Sequence, residues 1–394
     1  MDDYLHAEIS AESVRWNVNL LRQSLAPRTR LCAVVKADAY GHGLALLRPV
    51  LDELADCLAV ATPAEALGLR ELGYGRPLLM FSACAAADGR ADGMLLDELL
   101  QQEITLTIVS QACAEALAAA ARRVGRPARV HIKLDSGMGR SGVLPQGVVE
   151  LVDLVRRQPL LQLTGIYTHL ATADEADKTY ALGQFERFRQ AVAVQGPLPD
   201  TLLHAANSAA TIDLPQMHLD MVRPGIALYG YQPSDRMQRR LPLKPVLRLT
   251  GPLLQIKTLP AGSSCGYGLT HTFAQATRVG IVPIGYADGY FRCLSNRACM
   301  RLRGHAAPVR GNISMDQTII DLANVPQAQV GDEVEVISAD PAAPNSVENL
   351  ARLAGTIPYE ITCRLGPRIR RILPAPGPVG FSPGDAGNVD GKWP

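Results

Sequence analysis

The chain has almost no net charge: across 394 residues, 39 Lys and Arg stand against 38 Asp and Glu, a formal +1. It therefore lacks the basic stripe of a nucleic-acid binder and any general attraction to anionic lipid. No apolar run approaches the roughly 18 residues that would cross a bilayer. The start, Met1-Asp2-Asp3-Tyr4-Leu5-His6, is acidic and has no apolar segment of the kind a signal peptide needs. Eight cysteines, at 32, 57, 84, 113, 265, 293, 299 and 363, include no Cys-x-x-Cys and accompany no histidine cluster. They read as reduced thiols packed as small apolar groups, and no metal is expected. With 34 Gly and 28 Pro the chain is also not disordered in composition. What remains is a neutral chain, expected in the cytoplasm and long enough for two or three domains.

Short apolar runs recur along the first 230 residues, at 31–35, 57–61, 77–81, 104–109, 130–134, 163–167, 201–205 and 221–222. Such runs predict strands buried on both faces. Helical signals alternate with them. Thr62-Pro63-Ala64-Glu65 is a capping box with Pro at the first helical position. Ser110 can cap an Ala-rich segment that Gly125 can end, and Val148, Leu151, Val152 and Val155 form an apolar stripe. Ser10 precedes another stripe at Val14, Val18, Leu21 and Leu25. Eight strand–helix units predict an α/β fold, a (β/α)₈ barrel of the TIM type over residues 10–238. A doubly wound sheet is the competitor, but no Gly-x-Gly-x-x-Gly follows the first strand.

Beyond a linker-like stretch at 237–242 the texture becomes short, alternating and rich in turns, with strands predicted at 246–249, 253–257, 279–284, 318–321 and 333–337. This reads as a mainly β domain over 239–376, which a strand at 3–9 is expected to join. One helix is predicted there at 347–353, between Ser346 and Gly355. Residues 377–394 read as a loose tail.

The ends of the predicted barrel strands carry the chemistry. Lys36 follows the first strand directly, on the face where barrel enzymes keep their sites. Burial there would disfavour the ammonium and leave a nucleophilic amine suited to a Schiff base. One such lysine is most often merely solvated. Yet Lys133, Asp135 and Arg140 end or follow strand five, His169 strand six, Asn207-Ser208 strand seven, and Arg223-Pro224-Gly225-Ile226 strand eight. Ser hydroxyls and Gly N–H groups in the last two loops are the usual phosphate site of a barrel.

Lys36 falls in Val34-Val35-Lys36-Ala37-Asp38-Ala39-Tyr40-Gly41-His42-Gly43, which closely resembles the pyridoxal-phosphate signature of bacterial alanine racemases. The resemblance continues through Lys133-Leu134-Asp135-Ser136-Gly137-Met138-Gly139-Arg140, Tyr167-Thr168-His169, His204-Ala205-Ala206-Asn207-Ser208 and Val222-Arg223-Pro224-Gly225-Ile226. In the β domain it includes Gly266-Tyr267-Gly268, Gly285-Tyr286-Ala287-Asp288-Gly289-Tyr290, Ser314-Met315-Asp316-Gln317 and Pro358-Tyr359-Glu360, so that it spans about residues 4–373.

The resemblance implies a pyridoxal 5'-phosphate enzyme that interconverts L-alanine and D-alanine by a two-base mechanism, as a homodimer with shared active sites, supplying D-alanine for peptidoglycan. It makes Lys36 the Schiff-base lysine and one base, and Tyr267 from the partner subunit the other. Arg223 is implied to face the pyridine nitrogen, with His169 orienting it, and Arg140 to reach the cofactor's phenolic oxygen and the substrate carboxylate. Tyr40, Ser208, Ile226 and Tyr359 resemble phosphate contacts, with Asn207 and Gly225 beside them. Met315 resembles a second carboxylate contact, and Lys133 a lysine that is carbamylated in some members. Tyr359, Tyr286 and Tyr290 imply a narrow entrance and strict alanine preference. Ser314, Asn312 and Arg370 depart from the commonest family residues without touching these roles. A pyridoxal-phosphate carrier and a fold-related amino-acid decarboxylase are the alternatives; the second domain with Tyr267 counts against both.

Overall fold

The computed structural model describes residues 4–83 and 93–374, so the tail expected over 377–394 lies outside the described residues. The first strand, β1 (His6–Ile9), leads to a helix, Ala11–Arg22, whose start is capped by the Ser10 hydroxyl accepting from Ser13 N at 3.1 Å. Val14, Val18 and Leu21 on that helix are buried, which is the stripe the sequence showed.

Eight parallel strands follow: β2 (Arg30–Val34), β3 (Cys57–Val60), β4 (Leu78–Ala83), β5 (Thr105–Ile108), β6 (Ala128–Lys133), β7 (Leu161–Tyr167), β8 (Leu202–His204) and β9 (Met221–Val222). Each pairs with the next from β2 to β8, and β9 pairs with β2. Between β8 and β9 the ring is closed by Asp220 N donating to Leu203 O and Arg223 N donating to Ala206 O. All eight apolar runs became strands, because a strand buried on both faces has no polar face to blur its reading.

The helices between them begin and end where the caps stood. Thr62 and Glu65 form the reciprocal box at Pro63–Glu71; Ser110 caps Gln111–Val124, and Gly125 ends it at φ 70°. The barrel interior departs from the usual layers of branched aliphatics. Thr107, His131, Tyr167, His204 and Arg223 are all buried there.

Among the described residues, those after the barrel form, together with β1, two further sheets and a ribbon. Its strands are β10 (Leu247–Pro252), β11 (Gln255–Leu259), β12 (Ser264–Cys265), β13 (His271–Thr272), β14 (Thr277–Val282), β15 (Cys299–Leu302), β16 (His305–Pro308), β17 (Thr318–Asp321), β18 (Glu333–Ile337) and β19 (Arg370–Ile372). The larger sheet runs β16-β15-β18-β10-β1-β19 and the smaller β11-β14-β17, with β12 and β13 as the ribbon. The run expected at 253–257 is displaced: Leu253 is fully buried in the short link after β10, and the strand starts at Gln255. Strands β15, β16 and β19 were not foreseen, since each is short and interrupted by Arg, His or Pro. The helix Pro358–Cys363 was also missed, being only six residues long.

One continuous apolar core joins the barrel to the larger sheet, and a small second core, Cys265, Phe273 and Val279, lies under the ribbon. The two parts meet beneath Lys36. A Cβ at Gly41 would lie 2.1 Å from Thr362 O, so only glycine allows the barrel loop to rest on the helix Pro358–Cys363. No helix among the described residues is long and apolar enough to cross a membrane.

Candidate active site

Lys36 begins a single turn, Lys36–Gly41, that winds the wrong way. Ala37, Asp38, Ala39 and Tyr40 have φ of 52°, 52°, 54° and 57°, followed by Gly41 at 82° and Gly43 at 90°. Left-handed turns built from residues with a Cβ are rare, because the Cβ crowds the next carbonyl. This one is held by its surroundings. Glu65 accepts from Ala37 N at 2.7 Å while also accepting from Ala61 N at 2.8 Å and Thr62 N at 3.0 Å. Asp38 accepts from Leu44 N at 2.7 Å, and Arg371 Nε donates to Gly41 O at 3.2 Å. Tyr40 packs its ring 5.1 Å from that of Tyr229, whose hydroxyl donates to Val34 O at 2.9 Å. Glu65 carried only a helix-capping signal in the sequence; its tie to the lysine loop was not legible there.

The lysine is half-buried, and burial, followed by the Arg140 guanidinium, lowers its pKa. Lys133 ends β6 and is pushed down to about 8 by burial and then by Arg140 and Arg223. The loop carrying Arg140 is shaped by Asp135, whose carboxylate accepts four backbone N–H groups: Gly137 at 2.9 Å, Met138 at 2.7 Å, Gly139 at 3.1 Å and Arg140 at 3.0 Å. Burial raises that carboxyl, but the four donors together hold it below its ordinary value. Asp135 therefore shapes the loop; it does not face outward as an acid.

Arg223 is buried, with no carboxylate partner among the described residues. Its Nη1 donates to His204 Nδ1 at 2.7 Å, and its Nη2 to Thr168 O at 2.7 Å and Ala205 O at 3.2 Å. Because arginine only donates, His204 must accept at Nδ1 and carry its proton on Nε2. That proton is donated to His131 Nδ1, 3.0 Å away. The His204 ring stacks on Tyr167 at 4.8 Å, and Gly165 leaves room for His131, since a Cβ there would lie 2.6 Å from the imidazole. Burial keeps the chain neutral, holding His131 down at about 3 and His204 well below its usual value. Burial also lowers Arg223 to about 10. His169 is held at about 3 by burial and then by the charges of Arg223, Arg140, Lys133 and Lys36. His131 and His204 lay inside motifs the sequence displayed but had no assigned role. Their signal was a polar residue inside an apolar strand run.

The last two barrel loops form a small concave shelf. Ser208 Oγ accepts from Gly225 N at 2.8 Å, and Asn207 caps the next turn by accepting from Ala210 N at 3.0 Å. Ile226 is fully buried behind them. A Cβ at Gly225 would lie 2.2 Å from the Tyr40 hydroxyl, so the Lys36 loop and the shelf touch at a point open only to glycine. Tyr359, from the β domain, brings its ring to 5.9 Å from that of Tyr40. Burial raises both phenols, so both hydroxyls stay protonated donors.

Lys36, Tyr40, Arg140, His169, Ser208, Arg223, Gly225 and Tyr359 are thus linked by contact or charge around one face. Tyr267 and Met315 are not drawn into that set; they stand exposed on the β domain at 75% and 52%. Gly266 and Gly268, at φ 71° and 73°, hold Tyr267 on a projecting turn, and Asn312 Nδ2 donates to its carbonyl at 2.7 Å. Tyr286 is also exposed, whereas Tyr290 is buried and does not stand at a mouth of this chain.

Residues 9–233 match the family described as Alanine racemase, N-terminal domain, and residues 246–373 match Alanine racemase, C-terminal domain. An alanine racemase of Desulfovibrio desulfuricans is 40% identical over 369 residues, covering 93% of this chain and 97% of that protein. The crystal structure of alanine racemase from the D-cycloserine-producing Streptomyces lavendulae has a TM-score of 0.87 at 35% identity, covering 95% of this chain and 98% of the other. That of the biosynthetic alanine racemase from Pseudomonas aeruginosa has a TM-score of 0.85 at 32% identity, covering 95% and 100%. With both domains matched in order and nearly the whole length aligned, the chain belongs to the alanine racemase family.

Proposed function

We propose that this chain is a pyridoxal 5'-phosphate-dependent racemase that interconverts L-alanine and D-alanine. It acts as a cytoplasmic homodimer whose active sites are shared between subunits, and it supplies D-alanine for peptidoglycan. The observation that carries the reading is a set of four cations, the buried Lys133 and Arg223, the half-buried Lys36 and the exposed Arg140, whose charges all bear on His169, beside the Ser208–Gly225 shelf.

The residues present fit the cofactor. Four cations outnumber the carboxylates near them, and Asp135 and Glu65 are already engaged by backbone N–H groups. That imbalance suits an anionic ligand. Because Gly225 carries no side chain, the Tyr40 hydroxyl reaches the shelf, where a phosphate would meet Tyr40, Ser208, Asn207, Ile226 and Tyr359. Bound there, pyridoxal phosphate supplies an electron-withdrawing ring that acidifies the α-hydrogen of an amino acid attached to it.

Lys36 Nζ anchors the cofactor, and burial followed by the Arg140 charge lowers its pKa, which favours the neutral, nucleophilic amine. Racemisation takes the α-proton from one face and returns a proton to the other, so a second acid/base group is required. Tyr267 of the partner subunit fills that role; its exposure in the single chain leaves it free to reach a second copy. Arg140 and Met315 of the partner subunit hold the substrate carboxylate. Arg223 has no lone pair to accept with and stays protonated at about 10, so it holds a ring nitrogen unprotonated. The neutral His204 and the packed Tyr167 fix its direction.

Circular dichroism of L-alanine incubated with the protein and pyridoxal phosphate tests the reading. Decay of the signal to zero supports it. Release of carbon dioxide indicates the decarboxylase, and unchanged alanine with cofactor held through Lys36 indicates the carrier.

A further inference from the structure

At the end of the barrel away from Lys36 there is a cavity of about 450 Å³, lined in part by Cys57, Met221, His131 and Leu79. On its wall, Cys57 Sγ lies 3.6 Å from Met221 Sδ. The two belong to β3 and β9, which are not neighbours, because β2 runs between them. Contact across an intervening strand requires both side chains to point to the barrel axis. The intervening strand supplies a third sulfur: Cys32, fully buried, is the direct cross-strand partner of Cys57. Interaction with the Cys57 thiol and burial raise the Cys32 thiol, while the positive Arg223 pulls the other way.

Cys57 thus touches Met221 on one side and faces Cys32, its register partner on the intervening strand, on the other. A disulfide is poorly served by this placement. Neighbouring strands lie about 4.8 Å apart, whereas a disulfide wants its Cβ atoms about 3.8 Å apart. Zinc is poorly served as well: among the described residues, no three His, Cys, Asp or Glu side chains assemble into a metal-holding group. Two thiols and a thioether are instead the donor set that selects a soft monovalent ion.

We propose that Cys32, Cys57 and Met221 form a Cu(I) site, entered through the cavity that Cys57 and Met221 line. Two Cu–S(thiolate) bonds form as the Cys32 and Cys57 thiols release two protons to solvent. The Met221 thioether adds a neutral third bond, and no electron is transferred. The resulting copper–dithiolate unit carries one net negative charge. The charge of Arg223, which acts on Cys32, opposes it, and that of Asp56 adds to it.

The test uses the full chain in a background where Cys84 and the exposed Cys293 and Cys363 are Ser, titrated anaerobically with Cu(I) against a chromogenic chelator. One equivalent of Cu(I) is expected to be withheld from the chelator, with a sulfur-only shell by X-ray absorption. Cys57→Ser should abolish retention. Met221→Leu, which keeps the volume, should retain the stoichiometry but bind about tenfold more weakly. Circular dichroism of both variants confirms folding. No retention in the parent background, or equal retention in Cys57→Ser, overturns the proposal.

Discussion

The left-handed turn after Lys36 gives a substitution whose sign separates two descriptions of the same six residues. In a right-handed helix, Ala37→Gly would destabilise by about 1 kcal/mol. Here Ala37 sits at φ 52° and ψ 51°, where an L-residue carries about 1–2 kcal/mol of strain that glycine does not. Glycine gives back about 0.5–1 kcal/mol through the greater entropy of its unfolded chain. The net expectation is stabilisation by about 0.5–1 kcal/mol. The methyl group is exposed, so its removal opens no cavity, and glycine retains the N–H that donates to Glu65. Urea unfolding of the cofactor-free protein, followed by barrel fluorescence and far-ultraviolet dichroism, reads the difference as a rise in midpoint at unchanged slope. A fall in midpoint by the helical amount would mean that the turn is right-handed, and the account of how Lys36 is presented would fail with it.

Other expectations follow from the site. Mixing Lys36→Ala with Tyr267→Ala subunits, each inactive alone, should restore about a quarter of wild-type activity on random reassortment, because half the dimers then hold one intact site; no recovery would place both bases in one chain. Gly225→Ala must move Tyr40, so pyridoxal phosphate should bind about 10–100-fold more weakly by fluorescence titration, the equivalent of an overpacking cost of about 1–3 kcal/mol. Arg223→Glu should let the ring nitrogen be protonated and produce a long-wavelength visible band on adding alanine, which the wild-type protein lacks. His131 and His169 are held at about 3, so the unfolded chain binds more protons than the folded one between there and about 6.5. Their contribution is complete above pH 6.5 and shrinks as pH falls, by up to about 1.4 kcal/mol per unit for each. His131→Asn should flatten that slope in urea titrations between pH 6.5 and 4.

The barrel was legible because its strands are buried on both faces and its helices begin with Ser10, Thr62 and Ser110, whose side chains do accept the N–H groups expected of caps. The strand-end cations were legible for a related reason: a charged residue directly after an apolar run must lie near the rim. Handedness was not legible. Ala37-Asp38-Ala39-Tyr40 has the composition of an ordinary helical turn, and only Gly41 and Gly43 hint otherwise. The link from Arg223 through His204 to His131 was hidden as well, since it joins three strands through side chains whose direction appears only when the ring closes. Tyr290, placed by motif near an entrance, is buried within the single chain beside the turn at Gly289.

Strand β1 lies between β10 and β19, with His6 opposite both Thr250 and Arg370. During synthesis at about 5–20 residues per second, this strand waits roughly 20–70 s for its last neighbour. The whole barrel can emerge and close in that interval while β1 keeps unpaired edges, which are templates for mispairing with another nascent chain. Its four residues, His6-Ala7-Glu8-Ile9, include two polar side chains that limit this risk. Expression yield should therefore respond to translation speed and to substitutions at Glu8 more than the stability of the finished protein would suggest.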